Sequence, residues 1–410
     1  MWESITASVS TDTGIGRIPV CLLTGFLGSG KTTVLNRLTR RPEMEGTAVL
    51  INEFGEVGID HHLVEAVDES ILLLESGCLC CSMHGDFIKT LKSLHERQSR
   101  REIPAIRRVI VETTGLADPV PIIYTLMEER YVAARYVCDS VLTVVDGNHG
   151  PDQLVHHGEA VRQVAMADRL LITKSDIADR NAREKLHIML ERLNPTAPRL
   201  QVTHGEIDPV LLFSGGLYSP SERIPNVADW LGEEALNQQA HRHSHDHGHV
   251  HGGAITSFTV CFDQPAPWRG MAVTMGRILM DYGSRLLRAK GVIGVVGTMI
   301  PMVVQCVQDV AYPPVRLAKW PADGPLSDRR GRMVFIGRGL SKEDVADIKA
   351  RLTILPDDNA AMRMVATTPL LPTRCWLNQR LPWMGRGCFE TDGWVVQPPV
   401  VASSRHTSLR

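Results

Sequence analysis

A chain of 410 residues exceeds what one hydrophobic core usually organises, and its 43% hydrophobic content is that of soluble globular material, so two domains are expected and disorder throughout is excluded. The formal net charge of −2 offers no broad basic field, which argues against recruitment by nucleic acid or by an anionic membrane surface. No apolar run approaches the roughly 20 residues that span a bilayer, and the N-terminus lacks a basic region followed by an apolar core and a cleavage site, so a cytoplasmic protein is expected.

In chain order, apolar runs at 18–23, 47–51, 71–74, 108–111, 140–145, 169–172 and 200–203 alternate with longer amphipathic stretches, the pattern of buried parallel strands joined by helices. Residues 29–40 and 178–193 carry helix-favouring spacing. The expected fold is α/β, a doubly wound and mainly parallel sheet over residues 17–216.

The first run leads into Thr24-Gly25-Phe26-Leu27-Gly28-Ser29-Gly30-Lys31-Thr32-Thr33. This satisfies the P-loop spacing in its required strand-to-helix context. Glycines at 25, 28 and 30 let backbone N–H groups curl around phosphate oxygens. Lys31 supplies a point charge, Thr32 a hydroxyl for Mg²⁺, and Ser29 and Thr33 complete the phosphate-facing set.

The second run precedes Asn52-Glu53-Phe54-Gly55-Glu56-Val57-Gly58-Ile59-Asp60, where carboxylates interleave with glycines. A loop of that kind near the terminal phosphate can act as a switch, with Glu53 or Glu56 turned to metal, magnesium or water. The alternative is an acidic surface loop.

After the third run comes Glu75-Ser76-Gly77-Cys78-Leu79-Cys80-Cys81-Ser82. Of the nine cysteines, these three are spaced so closely that mutual disulfides are awkward and shared metal ligation is easy. Soft thiolates select Zn²⁺, Cu(I) or Co²⁺ over Mg²⁺, and three of them leave a fourth position open. Buried small hydrophobes and a Cys-x-x-Cys redox pair formed by Cys78 and Cys81 are the competing readings.

The fourth run opens onto Glu112-Thr113-Thr114-Gly115, which puts a carboxylate at the ligand-binding edge of the sheet, facing metal or water. Following the run at 169–172, Thr173-Lys174-Ser175-Asp176 has the form in which an aspartate accepts from guanine N1–H and its exocyclic amine while the lysine stem lies on the base. Adenine lacks that donor pair. A helix cap is the bland reading of the tetrapeptide.

Residues 217–253 form a linker whose HRHSHDHGHVHGG tract has no apolar periodicity. Its alternating histidines, among them His241, His243, His245, His247, His249 and His251, can hold Zn²⁺, Ni²⁺ or Co²⁺ loosely. Residues 254–355 read as a smaller α+β domain, with strands at 254–262, 285–296, 302–310 and 332–336 and helices at 268–282 and 341–352. The extension 356–410 shows no period, and its Trp376, Trp383 and Trp394 read as packing anchors.

Taken in that order, GFLGSGKTT, NEFGEVGID, ESGCLCC, ETTGLADP and TKSD closely resemble the CobW-type metallochaperone GTPases of the SIMIBI class, over about residues 17 to 350. The resemblance implies slow intrinsic GTP hydrolysis, with Lys31, Glu112 and Glu53 as catalytic candidates. Gly25, Gly28, Ser29, Gly30, Lys31, Thr32 and Thr33 take the phosphate role, and Thr173, Lys174 and Asp176 the base. Metal is expected at Cys78, Cys80 and Cys81, with Glu56 and the tract histidines His243, His245, His247 and His249 as further ligands, bound more tightly in the GTP state and released on hydrolysis. Threonine at 173 replaces the family's usual asparagine. The cofactors implied are GTP, Mg²⁺ and Zn²⁺ or Co²⁺, and the partner a client metalloprotein. Neither an arginine finger nor a water-orienting glutamine can be assigned, which leaves a client or a second copy in a homodimer as activator. Zinc delivery is the leading function. Cobalt insertion for cobalamin synthesis, or delivery to a nitrile-hydratase-type enzyme, is the alternative within the family. A metal storage or sensing protein with structural nucleotide is the alternative outside it.

Overall fold

Seven parallel strands form the first sheet; the inner ones are apolar on both faces, as strands covered by helices on each side must be, while the edge strand at 199–201 is only half-buried. The computed structural model describes residues 17–51, 72–75, 83–213, 255–317, 319–322, 326–367 and 371–377. Strand β1 (Ile18–Gly25) leads to helix α1 (Lys31–Leu38), then β2 (Thr47–Ile51) and β3 (Leu72–Glu75). Helix α2 (Met83–Ser99) returns the chain to β4 (Arg108–Glu112), which pairs with both β2 and β1. Helices α3 (Val120–Glu128) and α4 (Arg130–Ala133) precede β5 (Tyr136–Asp146) on the other flank of β1. Beyond it come α5 (Gly150–His156), α6 (Gly158–Met166), β6 (Arg169–Thr173), α7 (Arg180–Leu193), β7 (Arg199–Gln201) and α8 (Pro209–Phe213).

The strand order β3-β2-β4-β1-β5-β6-β7 means that the chain winds outward from β1, comes back to insert β4, and then builds the opposite flank. This reversal at β1 is the topological switch point, where open α/β sheets bind ligands beyond the carboxyl ends of their strands. Register fixes what meets there: Leu23 of β1 and Ile51 of β2 both pair with Glu112 of β4, and Ile51 also pairs with Glu75 of β3.

The second sheet is antiparallel. It comprises β8 (Ile255–Phe262), β9 (Leu286–Ile293), β10 (Met302–Val307), β11 (Val310–Ala311), β12 (Val315–Arg316) and β13 (Gly331–Arg338). Helices α9 (Trp268–Tyr282) and α10 (Lys342–Thr353) pack against it, the latter started by a reciprocal capping box between Ser341 and Asp344. The apolar run at 302–310 divides into β10 and β11 because Gln308 takes a left-handed turn with φ of 50°. Within the extension, α11 (Asp358–Thr367) and α12 (Arg374–Leu377) pack on α9. Trp376 is fully buried there: its ring stacks on Trp268 at 5.8 Å and its indole N–H donates to the Tyr312 carbonyl at 2.7 Å. Trp383 and Trp394 lie outside the described residues.

The two sheets share a packed boundary. Val307 and Tyr312 join the core of the first domain beside Tyr136, Cys138 and Met166, while Ala165 of α6 packs with Leu287 and Ile336. Tyr124 donates to Asp309 across the same seam. Among the described residues no helix is long and apolar enough to cross a membrane.

Candidate functional site: the loop after the first strand

Gly25 closes β1, and Gly28 and Gly30 both take positive φ, 71° and 94°. Gly30 is the N-cap of α1, whose first turn has neither a side-chain cap nor an acidic residue. No N-cap side chain or first-turn carboxylate competes for the first N–H groups of that helix, which favours an anion there. Lys31 is buried, 9% exposed, and its ammonium donates to the carbonyls of Gly25 and Phe26 at 2.8 and 3.1 Å, so the charge is held inside the loop's curve. Ser29 is buried and its carbonyl accepts from the Thr173 hydroxyl at 2.6 Å, while Thr33 is exposed on α1.

Across the switch point, the Thr32 hydroxyl donates to Glu112 Oε1 at 3.1 Å. Glu112 is 3% exposed at the end of β4. A hydroxyl and a buried carboxylate this close form a hard oxygen donor set of the kind Mg²⁺ takes. Thr113 ties the same turn to β1 through the Thr24 hydroxyl at 2.9 Å. Gly115 has to be glycine: a Cβ there would stand 2.7 Å from the backbone nitrogen of Leu27 in the loop.

The tetrapeptide at 173–176 is joined to the loop from the other flank. Thr173 donates to Ser29, and the Lys174 ammonium donates to the Gly28 carbonyl at 2.7 Å and to Asp146 Oδ2 at 2.8 Å. Lys174 adopts φ of 54°, which turns the chain sharply after β6. Asp176 is exposed, and Ser175 donates to Gln201 at the end of β7. Asp146, at the end of β5, is a residue that the motif reading passes over. Burial opposes its ionisation, but the Lys174 hydrogen bond and the backbone N–H groups of His149 and Asn148 outweigh that, holding its carboxyl below the usual range. Its only sequence signal is an acidic residue closing an apolar run, which also reads as a turn former.

Thus Lys31, Thr32, Glu112, Thr173 and Lys174 are brought together around one loop. Glu53, Glu56, Cys78, Cys80, Cys81 and the histidines His243, His245, His247 and His249 lie outside the described residues. Among the described residues no three His, Cys, Asp or Glu side chains are grouped to hold a metal ion. The described cysteines include core members of the sheet: burial pushes the Cys21 and Cys138 thiols up to about 12, which suppresses the thiolate that metals require.

A glycine-rich loop between a central parallel strand and an uncapped helix, with lysine, threonine and carboxylate converging on it, defines a P-loop nucleotide-binding α/β protein. The description "CobW/HypB/UreG, nucleotide-binding domain" matches residues 19–201, and "Cobalamin synthesis protein cobW C-terminal domain" matches residues 255–352. The chain is 34% identical over 330 residues to the zinc chaperone YjiA of Escherichia coli, spanning 80% of this chain and 96% of that one. With the zinc chaperone CobW of a Sinorhizobium species it shares 26% identity over 373 residues, 83% of this chain and 98% of the relative. The crystal structure of Zn(II)-bound YjiA GTPase from E. coli superposes with a TM-score of 0.57 at 29% identity, covering 82% of this chain and 98% of that one. The chain belongs to the CobW family of P-loop nucleotide-binding proteins.

Proposed function

We propose that this chain is a GTP-hydrolysing metallochaperone that takes a thiophilic metal ion, zinc first, at Cys78, Cys80 and Cys81 and couples nucleotide state to its delivery to a client metalloprotein. The observation that carries this reading is the shared register at one sheet edge. Ile51 pairs with both Glu112 and Glu75, so the chain enters the 76–82 sequence level with, and one strand removed from, the strand end that bears Glu112. Phosphate and thiolate chemistry then leave the same edge of the sheet from β4 and β3, with β2 alone between them, and a contact at one can bias the other.

On this reading the P-loop amides and Lys31 bind the phosphates, and Lys174 and Asp176 read the guanine. Thr32 and Glu112 hold Mg²⁺, which would neutralise charge on the transferred phosphoryl group. Zinc is supported by the similar proteins YjiA and CobW, both zinc chaperones, and by the Zn(II)-bound YjiA structure. The histidines of the 241–251 tract serve as a loose metal buffer upstream of the thiolates. A client, or a second copy in a homodimer, supplies the activating group that speeds hydrolysis.

The test is Lys31→Ala in the full chain. GTP hydrolysis is expected to vanish while the cooperative melt survives, because the ammonium is held within the loop by the Gly25 and Phe26 carbonyls rather than by the core of the sheet. Retained turnover in the folded variant removes the P-loop from the reaction.

A further inference from the structure

Helix α6 makes contacts at both ends that GTP hydrolysis as proposed above does not use. Its N-cap, His157, stacks on Phe26 of the P-loop with ring centroids 4.5 Å apart, and Arg162 lies 3.6 Å from Asp118. Next along the helix is Gln163, 1% exposed, whose amide nitrogen donates to the carbonyls of both Gly115 and Ala117, at 3.2 and 3.0 Å. A neutral side chain is thus buried for the sake of two loop carbonyls, and that loop follows Glu112 and lies against Leu27.

The other end of the same short helix belongs to the second domain. Arg288 of β9 donates to the Met166 carbonyl and to Asp168. Lys290, two residues along β9, stands 3.0 Å from the same carboxylate, whose second oxygen accepts from the Val141 amide. Ala165 packs against Leu287 and Ile336. From within the first domain, the fully buried Asn194 donates to the carbonyls of Val164, Ala165 and Ala167. Residues 163 to 168 therefore hold the post-β4 loop on one side and the second domain on the other. A displacement of one is passed to the other, because a buried helix end held by these bonds on both sides deforms little.

We propose that Gln163 is a positioning residue for GTP hydrolysis, fixing the loop after Glu112 against the P-loop, and that Arg288 holds the far end of α6 so that the second domain governs hydrolysis and responds to the nucleotide. This rests on the GTPase reading. It goes beyond it by assigning the second domain a role in turnover through named contacts.

The experiment uses the full chain: single-turnover GTP hydrolysis and GDP affinity for wild type, Gln163→Met, Arg288→Met and the double variant, each checked by its melt. Gln163→Met is expected to slow hydrolysis by about tenfold or more with GDP affinity held within about twofold, since the contacts made by Lys31 and Lys174 are untouched. Arg288→Met should move the rate the same way, and the double variant should be no slower than the slower single one, as for residues acting as one unit. A folded Gln163→Met with the wild-type rate overturns the proposal, as does strict additivity in the double variant. If a substitution prevents folding, hydrogen exchange on the wild-type chain decides. Amides of β9 should exchange differently with a GTP analogue than with GDP, and identical exchange overturns the relay. A wild-type chain that binds GTP without hydrolysing it fails the GTPase reading instead, and the exchange comparison still tests α6.

Discussion

Thr32 on α1 and Glu112 at the end of β4 are hydrogen-bonded at 3.1 Å across the central pair of strands, although 80 residues of sequence separate them. P-loop enzymes usually present an aspartate at this position; here the longer carboxylate reaches the threonine directly. Glu112→Gln preserves volume and removes the charge. Hydrolysis is expected to fall roughly 100-fold, with GDP affinity in the absence of Mg²⁺ unchanged, as for loss of a group that acts on developing charge. Steady-state hydrolysis over a Mg²⁺ titration measures it, and an unaltered rate would take Glu112 out of the reaction.

Asp146 should matter more than its absence from any motif suggests. Asp146→Ala leaves the Lys174 ammonium with only the Gly28 carbonyl, and also removes the acceptor for two backbone N–H groups. A loss of roughly 1–3 kcal/mol of stability is expected, with weaker guanine nucleotide binding. Because the folded carboxyl titrates below its ordinary range, this stabilisation is complete at neutral pH and disappears only as pH falls through that depressed value. Denaturant melts at two pH values check both statements.

The boundary cluster gives a second pH dependence of opposite origin. Burial, reinforced by the neighbouring Arg288 and Arg169 and partly offset by Asp168, pushes the Lys290 ammonium down to about 7. Between that value and the ordinary 10.5 of a lysine, the unfolded chain binds a proton that the folded chain does not, so this group makes stability rise with pH across the window. The slope is at most about 1.4 kcal/mol per pH unit. Lys290→Met should flatten it, and melts that keep the wild-type slope would locate the titration elsewhere.

Much of this architecture is legible in the residues because both faces of the inner strands are covered, which makes most of their length apolar. The P-loop at 24–33, Glu112 and the tetrapeptide at 173–176 each stand at the end of an apolar run, so the sequence itself marks the ligand-binding edge of the sheet. Strand β5 is longer than its apolar stretch, since Tyr136 is buried with its hydroxyl on the Leu91 carbonyl of α2 and Cys138 beside Tyr312 of the second domain, contacts that no local pattern announces. Gln163 was illegible for the same reason: a neutral polar residue on an amphipathic helix reads as surface until the loop it holds is known. Helices α11 and α12 draw their stability from α9 and Trp268 rather than from a strong period of their own.

The central claim is that nucleotide and metal affinities are linked, and it is tested most directly by titrating Zn²⁺ into the chain with GDP and with a non-hydrolysable GTP analogue. A variant lacking residues 241–251 keeps loose imidazole sites from absorbing the ion, and Cys80→Ser serves as the companion that should lose the high-affinity phase. Coupling of about 1–3 kcal/mol, or roughly 5–150-fold tighter zinc with the analogue, is the predicted result, with zinc tightening the analogue by the same factor. Equal zinc affinity in the two nucleotide states would contradict the delivery cycle and leave a storage or sensing protein whose GTP hydrolysis serves another end.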